Sequence, residues 1–402
     1  DTDGLTDDTI IFFISDHGAG MPRSKRFPYN SGLNVPILIV IPEKFRHVAP
    51  TDYEAGGRSK RLIGHIDLAP SLLSAAGVPA PSFYQGEAYM GPRQTAPRQY
   101  SFGFRGRMDE RYDLIRTVRD QRYVYLRNYY PHKVYGQYIN YMWGTPTTKI
   151  WEQLYKAGRL KPPQTYFWET KPPEELYDLE TDHDEVHNLA SDPRRRGVLE
   201  RMREVHRRHE LDVRDIGLLT EAEFQQRARD ANATPYEVAQ DRTQYHVENV
   251  LAAAVLASSG APGQVDRLRK MLDDSDSGVR YWAATGLLIR GAAAVKAARR
   301  ELVRALEDAS HSVRIAAAEA LGRYGTDDDI ARVMPVLLAL ANPVETNSYV
   351  AILALNAISA LGDKAKPFKA QIVALPRVDE KSPSRVNREY TTNLLNRLTE
   401  VL

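Results

Sequence analysis

The feature that most constrains the fold is an internal repeat in the C-terminal half of the chain. Residues 272–291 (LDDSDSGVRYWAATGLLIRG) and 306–325 (LEDASHSVRIAAAEALGRYG) align at an offset of 34 residues, with Val279 matching Val313. A period of this length is typical of stacked helix pairs, because one such pair cannot bury its apolar face alone. The repeat therefore predicts a helical solenoid, and an ordinary helical bundle is the alternative.

The repeated pattern D-x-x-x-x-V-R-x-x-A-A resembles HEAT repeats. The resemblance covers roughly residues 244–375, where Gly260 and Gly362 mark fainter flanking copies. It implies an all-α, HEAT-like region over residues 244–402, which we expect to follow a linker at 211–243. A concave solenoid face commonly binds proteins, so the resemblance also implies a protein partner for the repeats.

Two continuous apolar runs near the N-terminus predict β-strands. Residues 9–15 (TIIFFIS) and 35–41 (VPILIVI) have the composition of strands that are buried on both faces of a parallel sheet. A helix-like stretch at 65–76 follows, and Gly77 is its expected stop. Two strands cannot form a covered parallel sheet. We therefore expect residues 1–100 to be the C-terminal part of an α/β domain whose front is missing.

Shorter strand signals follow this region. Residues 112–118 and 122–127 alternate in polarity around a short polar break, which predicts an antiparallel hairpin, and residues 176–179 predict another strand. Aromatic side chains are dense between residues 129 and 168. These signals predict a subdomain at 101–210 with a small antiparallel sheet, an aromatic loop and a helix.

Composition excludes several classes of function. The 402 residues carry 54 Lys plus Arg and 52 Asp plus Glu, and a net charge of +2 supplies no broad field for a polyanion such as nucleic acid. No apolar run approaches the roughly 18 residues that a membrane helix needs. The chain has no cysteine, which excludes disulfides, thiolate zinc sites and thiol nucleophiles. We expect no nucleic-acid partner and no membrane partner.

Asp16, His17 and Gly18 stand at the C-terminal end of the first predicted strand, where open α/β sheets place ligand sites. Gly18 lets the chain turn, so that the carboxylate and the imidazole approach a single ion. The alternative is an aspartate that caps a turn beside a hydrogen-bonded histidine.

The surrounding sequence resembles the sulfatase family. Residues 15–39 read S-D-H-G-(x)6-K-(x)3-Y-N-S-G-L-N-V-P-I-L-I, as in the family's S-D-H-G or S-D-N-G block. Two further blocks agree in order, at residues 65–80 (HIDLAPSLLSAAGVPA) and 176–193 (LYDLETDHDEVHNLASDP). The resemblance spans about residues 5–207 and indicates a type I sulfatase of the alkaline-phosphatase-like superfamily.

The resemblance assigns roles to individual residues. Asp16 and His17 match the pair that ligates a divalent cation, usually Ca²⁺, with Mg²⁺ or another ion as alternatives. Lys25 matches the lysine that touches the sulfate oxygens. Asn30 stands where the family commonly has Glu, a position that we interpret as structural.

The nucleophile of the family is a formylglycine made within a C/S-x-P-S-R motif, which this chain lacks. Its lookalike at residues 381–385 (KSPSR) has Lys at the nucleophile position, and we reject it. We expect the formylglycine only in the missing N-terminal part, so this fragment alone should be inactive.

The predicted function is sulfatase, that is, hydrolysis of sulfate esters on a sulfated glycan. Arg105 and Arg107 are candidates for binding a second sulfate or a uronic carboxylate, with an ion-pair network as the alternative. Two other functions stay open: a related phosphoester or phosphonate hydrolase, and a non-catalytic HEAT-repeat interaction protein with a dead sulfatase domain. The resemblance also implies export, for instance to the periplasm.

Overall fold

The computed structural model describes residues 2–378 and 385–402. The chain forms two compact units, each of which is built from three segments. Unit 1 contains Asp1–Phe104, Arg116–Leu126 and Glu175–Arg203, and unit 2 contains Arg105–Ile115, Arg127–Glu174 and Glu204–Leu402. The predicted continuous domains at 1–100, 101–210, 211–243 and 244–402 stay a prediction. Both units cross those boundaries because the chain passes between them several times.

The regular elements follow one another from strands to helices. The strands are β1 (Ile11–Ile14), β2 (Ile37–Val40), β3 (Ser101–Arg105), β4 (Ile115–Arg119), β5 (Tyr123–Asn128) and β6 (Glu174–Asp178). The helices before the repeats are α1 (Asn30–Leu33), α2 (Leu68–Ala75), α3 (Asn140–Trp143), α4 (Pro146–Lys156), α5 (Arg196–Asp212), α6 (Glu221–Asp230) and α7 (Pro235–Gln240). The remaining helices are α8 (Val247–Ser258), α9 (Val265–Met271), α10 (Ser277–Arg290), α11 (Ala292–Ala297), α12 (Arg299–Ala305), α13 (His311–Tyr324), α14 (Asp327–Leu340), α15 (Ser348–Leu361), α16 (Lys369–Val373) and α17 (Arg385–Val401).

The first two strands pair with each other, but in the antiparallel direction, with Ile11 opposite Val40 and Phe13 opposite Leu38. The expectation of parallel strands is therefore wrong, because a continuous apolar run indicates burial and does not specify the direction of pairing. These four side chains share one face of the sheet and are 50–64% exposed. The opposite face packs on a small apolar cluster that includes Ile41, a residue only 3% exposed.

The second sheet has the order β3-β4-β5-β6. A short turn joins β4 to β5, where the Asp120 amide donates to the Tyr123 carbonyl at 3.0 Å, so the predicted hairpin is confirmed. The Leu179 amide donates to the Arg122 carbonyl at 2.8 Å at one end of β5, and the Asn128 amide donates to the Pro173 carbonyl at 3.0 Å at the other end, so β6 is antiparallel to β5. All six residues of β5 are buried. The fold is thus α/β, with antiparallel sheets and many helices.

Helix pairs in unit 2 repeat with the spacing that the sequence predicts. The pair α9–α10 begins at Val265 and Ser277, and the pair α12–α13 begins at Arg299 and His311, which is 34 residues later for both helices. Helix α10 packs between α8 and α13, α13 also contacts α15, and α15 contacts α17. Gly291 ends α10 with a φ of 77°, a conformation that favours glycine.

Residues 211–243, where we expect a linker, are folded in the structure. They contain α6 and α7, and Leu218 and Leu219 are 1% and 4% exposed in the apolar core of unit 2. This burial is hard to predict from the sequence, because the neighbouring helix α6 is polar and only a few of its side chains face the core.

Charged pairs connect successive helix pairs. Arg280 of α10 binds both carboxylate oxygens of Asp308, with donor–acceptor distances of 2.7 and 2.8 Å. Asp308 also accepts the amide of Ser310 at 2.8 Å, which orders the turn before α13. In the same way Arg227 of α6 donates to Asp276 at 2.6 Å. These bonds fix the position of each helix pair relative to the next helix pair.

One face of the helical layer carries a segment of the same unit. The hydroxyl of Tyr130 lies 2.7 Å from that of Tyr281 on α10, and the Tyr130 ring stacks on Trp282 at 5.4 Å. Asn356 on α15 donates to the Glu110 carbonyl at 2.8 Å. This face therefore binds the segments 105–115 and 127–140 of the same unit.

Within the part of the chain that the structure describes, no helix is both long and apolar enough to cross a membrane.

We expect Asp308→Ala to destabilise unit 2 by about 2 kcal/mol, between the cost of losing an exposed ion pair and that of breaking a buried one. Its carboxylate is 11% exposed and satisfies two partners. Tryptophan fluorescence during urea unfolding reports on this unit, because Trp143, Trp151, Trp168 and Trp282 all lie in it.

The matched control is Asp273→Ala, which removes an exposed ion pair with Arg304 in the same helical layer. We expect this control to change the unfolding free energy by less than about 0.5 kcal/mol. Equal effects of the two substitutions would contradict the role given to Asp308.

Candidate functional site

Asp16 and His17 lie directly after β1, and their side chains converge. His17 Nε2 lies 3.3 Å from Asp16 Oδ2, and the two side chains are 40% and 85% exposed. His17 Nδ1 lies 2.7 Å from the Gly18 carbonyl oxygen, which can only accept, so Nδ1 carries the proton of this bond. In the neutral ring, the Nε2 lone pair then faces the carboxylate. Two donor atoms suited to a cation thus meet at one exposed point.

Gly18 is required for the close packing that follows this pair. A Cβ atom at Gly18 would lie 2.1 Å from the carbonyl oxygen of Ser31 and 2.9 Å from the Cα of Gly32. The Gly18 amide donates to the Gly32 carbonyl at 3.2 Å. The end of β1 therefore rests directly on the backbone of α1.

Lys25 belongs to the loop that connects these two segments. Its amide donates to the Ala19 carbonyl at 3.0 Å, and the hydroxyl of the preceding Ser24 donates to the Ser31 carbonyl at 2.7 Å. The structure therefore brings Lys25 to the backbone that follows His17. All three residues that the sulfatase resemblance singles out lie in one loop system of unit 1.

The buried Asn30 is a structural centre of this loop system. Its amide donates to Glu185 Oε2 at 2.8 Å, and its side-chain oxygen accepts from Arg119 at 2.6 Å. Its side-chain nitrogen lies 3.1 Å from His183 Nε2. Sequence reasoning missed Glu185 and Arg119. The signal for Glu185 was present, since it lies within the block at 176–193 that resembles the sulfatase family.

Glu185 is 2% exposed, and this burial raises its pKa to about 7. The nearby Glu175 raises the pKa further, while Arg23 and the Asn30 amide oppose the rise. Glu185 Oε1 accepts no hydrogen bond from the residues that the structure describes. A carboxylate with one buried oxygen left unsolvated resists ionisation.

Arg105 and Arg107 both engage carboxylates within unit 2. Arg105 is 1% exposed, and its Nε donates at 3.1 Å to Asp113, which also accepts from Lys171 at 2.6 Å. Burial opposes the ionisation of Asp113, but the two cations outweigh it and lower its pKa. Arg107 pairs with Glu221. Both arginines thus make ion pairs, as in the alternative interpretation: the Arg105 contacts are buried, and the Arg107–Glu221 pair is partly buried.

The aromatic loop packs mainly on itself. Trp151 stacks on Phe167 with ring centroids 4.8 Å apart, and Trp143 meets Trp168 edge to face at 6.0 Å. Phe167 and Trp168 are 1% and 8% exposed.

Among the described residues, no group of three or more His, Asp or Glu side chains gathers to hold a metal ion. Asp16 and His17 alone therefore supply two donors. The rejected nucleophile lookalike at 381–385 begins outside the described residues.

Part of this chain is similar to known sulfatases. Residues 1–78 match the family model described as Sulfatase. An "Ulvan-active sulfatase" of Formosa agariphila is 38% identical over 223 residues, which cover 55% of this chain and 36% of that protein. A second "Ulvan-active sulfatase" of the same organism is 29% identical over 206 residues, covering 49% and 36%. A solved structure described as a complex with its substrate, D-glucosamine-2-N,6-O-disulfate, matches with a TM-score of 0.35 and 18% identity over 52% of this chain and 35% of that one.

The N-terminal region of this chain is therefore similar to part of a sulfatase domain, and the predicted resemblance to the sulfatase family is confirmed. The chain spans about a third of the length of the curated relatives that it matches.

We expect Glu185→Gln to remove a pH-dependent loss of stability. The folded state keeps the Glu185 proton up to about pH 7, whereas the unfolded chain releases it near 4.5, so the free energy of unfolding falls as pH rises through this window. Glutamine cannot ionise and still accepts the Asn30 amide. Relative to the wild type, the variant should gain on the order of 3 kcal/mol between pH 4.5 and 8.

Urea unfolding followed by circular dichroism at several pH values measures this difference. Glu43→Gln is the control, because its side chain is 90% exposed, and it should follow the wild type at every pH. An unchanged pH dependence in Glu185→Gln would show that Glu185 ionises normally in the folded protein.

Proposed function

We propose that this chain is part of a type I sulfatase that hydrolyses sulfate esters on a sulfated glycan. The observation that carries the proposal is the placement of Asp16, His17 and Lys25 in one loop system, within residues that match the sulfatase family model. The ulvan-active relatives make a sulfated polysaccharide the first substrate class to test.

Asp16 and His17 fit a divalent cation as two of its ligands. A carboxylate suits a hard ion such as Ca²⁺ or Mg²⁺, and the Nδ1 bond to Gly18 leaves Nε2 to face the same point. When bound, the cation supplies Lewis-acid polarisation of the sulfate oxygens. Further ligands come, in this proposal, from a part of the protein beyond these 402 residues.

Lys25 would bind the sulfate group by charge. Its ammonium neutralises the negative charge that grows on the sulfate oxygens as the ester bond breaks, which is the effect of a preorganised positive group. The backbone bond from Lys25 to Ala19 keeps the lysine near the cation ligands.

The nucleophile of the proposed reaction is not in this sequence, because the chain has no cysteine and no C/S-x-P-S-R motif. We place the formylglycine in a further segment of a longer protein, and on this view the 402 residues alone are inactive. The apolar outer face of β1 and β2 supports the view, since such a face is normally covered in an α/β domain. We also propose that the protein is exported, as the resemblance to the sulfatase family implies.

We further propose that the helices from α8 onward form a HEAT-like solenoid. The 34-residue spacing of helix pairs and the Arg280–Asp308 bonds support it. Because the segments 105–115 and 127–140 of the same unit occupy one face of these helices, we assign that face a supporting role. A protein partner of the repeats would bind elsewhere on them.

In the complete protein, coexpressed with a formylglycine-generating enzyme, we expect Lys25→Ala to lower kcat/KM for sulfate release by about 100-fold or more. The substrates are an aryl sulfate and ulvan. Lys44→Ala is the control, an exposed lysine paired with Asp8, and it should retain wild-type activity. Equal activity of the two variants would remove the sulfate-binding role of Lys25, and faster release of phosphate from an aryl phosphate than of sulfate would rule the sulfatase proposal out.

We expect Asp16→Asn to weaken cation binding, because the amide lacks the negative charge that a divalent ion prefers. After removal of metal by a chelator, the variant should need at least tenfold more Ca²⁺ or Mg²⁺ than the wild type to recover half of its own maximal activity. A cation dependence identical to that of the wild type would remove Asp16 from the ligand set.

A further inference from the structure

The side chain of Arg23 anchors the turn that carries Lys25 to a segment distant in sequence. Arg23 donates to the carbonyl oxygens of Asp184 and Glu185, at 2.8 and 2.6 Å. Its guanidinium carbon lies 4.0 Å from the centroid of the Tyr29 ring, whose hydroxyl donates to the buried carboxylate of Glu175 at 2.8 Å. A guanidinium presents its donors in a rigid fork, so two carbonyl acceptors and one ring fix both its position and its orientation.

The backbone on both sides of Lys25 is strained. Arg23 and Arg26 have φ values of 63° and 81°, and Glu185, across the contact, has 55°. Residues other than glycine hold such conformations only where the surrounding structure enforces them, and they concentrate at functional sites. The bond from the Ser31 hydroxyl to the Arg23 carbonyl, at 2.8 Å, adds to this enforcement from the inner side of the loop.

We propose that Arg23 is a positioning residue for Lys25. The proposal rests on the sulfate-binding role proposed for Lys25 and extends it to a residue that touches no substrate. The two bonds from Arg23 to the segment 184–185 hold the turn 23–26 in its strained form. The Lys25 ammonium then binds the sulfate of the substrate from a turn that is already ordered. Because the turn is ordered in advance, no binding energy is used to order it.

A double-mutant cycle in the complete, formylglycine-containing protein tests this role. Arg23→Gly removes the guanidinium and its contacts. Because glycine adopts a left-handed backbone without strain, the substitution tests the loss of these contacts without adding backbone strain. With an aryl sulfate, we expect it to lower kcat/KM about tenfold or more. In the Lys25→Ala background, the same substitution should change kcat/KM less than threefold, because the group that it positions is gone.

The control is Arg58→Ala, which removes an exposed arginine of the same unit and should leave kcat/KM unchanged in both backgrounds. Circular dichroism checks that each variant folds. If Arg23→Gly does not fold, Arg23→Lys carries the cycle, because it keeps the charge and loses the two-pronged contact. An equal fold-loss in both backgrounds would make Arg23 purely structural and overturn the inference.

The two proposals fail in different ways. A wild-type protein that releases no sulfate overturns the proposed function and the role of Arg23 with it. A Lys25→Ala variant as active as the wild type overturns the sulfate-binding role of Lys25 and the role of Arg23 with it. An active wild type and an impaired Lys25→Ala variant, together with an additive cycle, overturn the role of Arg23 alone.

Discussion

The candidate site depends on a direct backbone contact between the end of β1 and the loop before β2. Gly18 and Gly32 make it, and a side chain on either residue would collide with main-chain atoms: a Cβ at Gly32 would lie 2.1 Å from the Phe27 carbonyl oxygen. Because no Cβ intervenes, the residues after His17, the turn around Lys25 and the first turn of α1 share one small volume. The ionic and aromatic contacts of Arg23, Tyr29 and Asn30 brace this arrangement from outside.

Much of the site could be predicted because its signals are local. Asp16, His17 and Lys25 stand within ten residues of one another, in a spacing that one block of sequence displays. The residues that support this site could not be predicted in the same way. Glu185 and Arg119 form hydrogen bonds with Asn30 but lie 155 and 89 residues from it in the sequence. The same limit applies to Arg107, which reads as part of an exposed basic cluster until Glu221, 114 residues further along, pairs with it. Nothing in the local pattern distinguishes a charge that is solvated from one that is paired at long range.

The fold likewise has features that the local sequence predicts and features that it does not. The 34-residue helix period, the hairpin and the end of α2 at Gly77 follow from periodicity and turn chemistry. The direction of β2 relative to β1 does not, because both directions bury an apolar run equally well. The occupation of the helical face by Tyr130 and its neighbours was hidden for another reason: an aromatic loop has no period, and its partner lies on a helix more than a hundred residues away.

The outward face of the first sheet affects how the polypeptide behaves in solution. Ile11, Phe13, Leu38 and Val40 form an exposed apolar patch on a two-stranded ribbon, and such ribbons present free edges for further pairing. Two copies of these 402 residues could bury their patches against each other. The apparent mass of the isolated polypeptide should therefore rise with concentration, and a lysine in place of Phe13 would suppress that self-association.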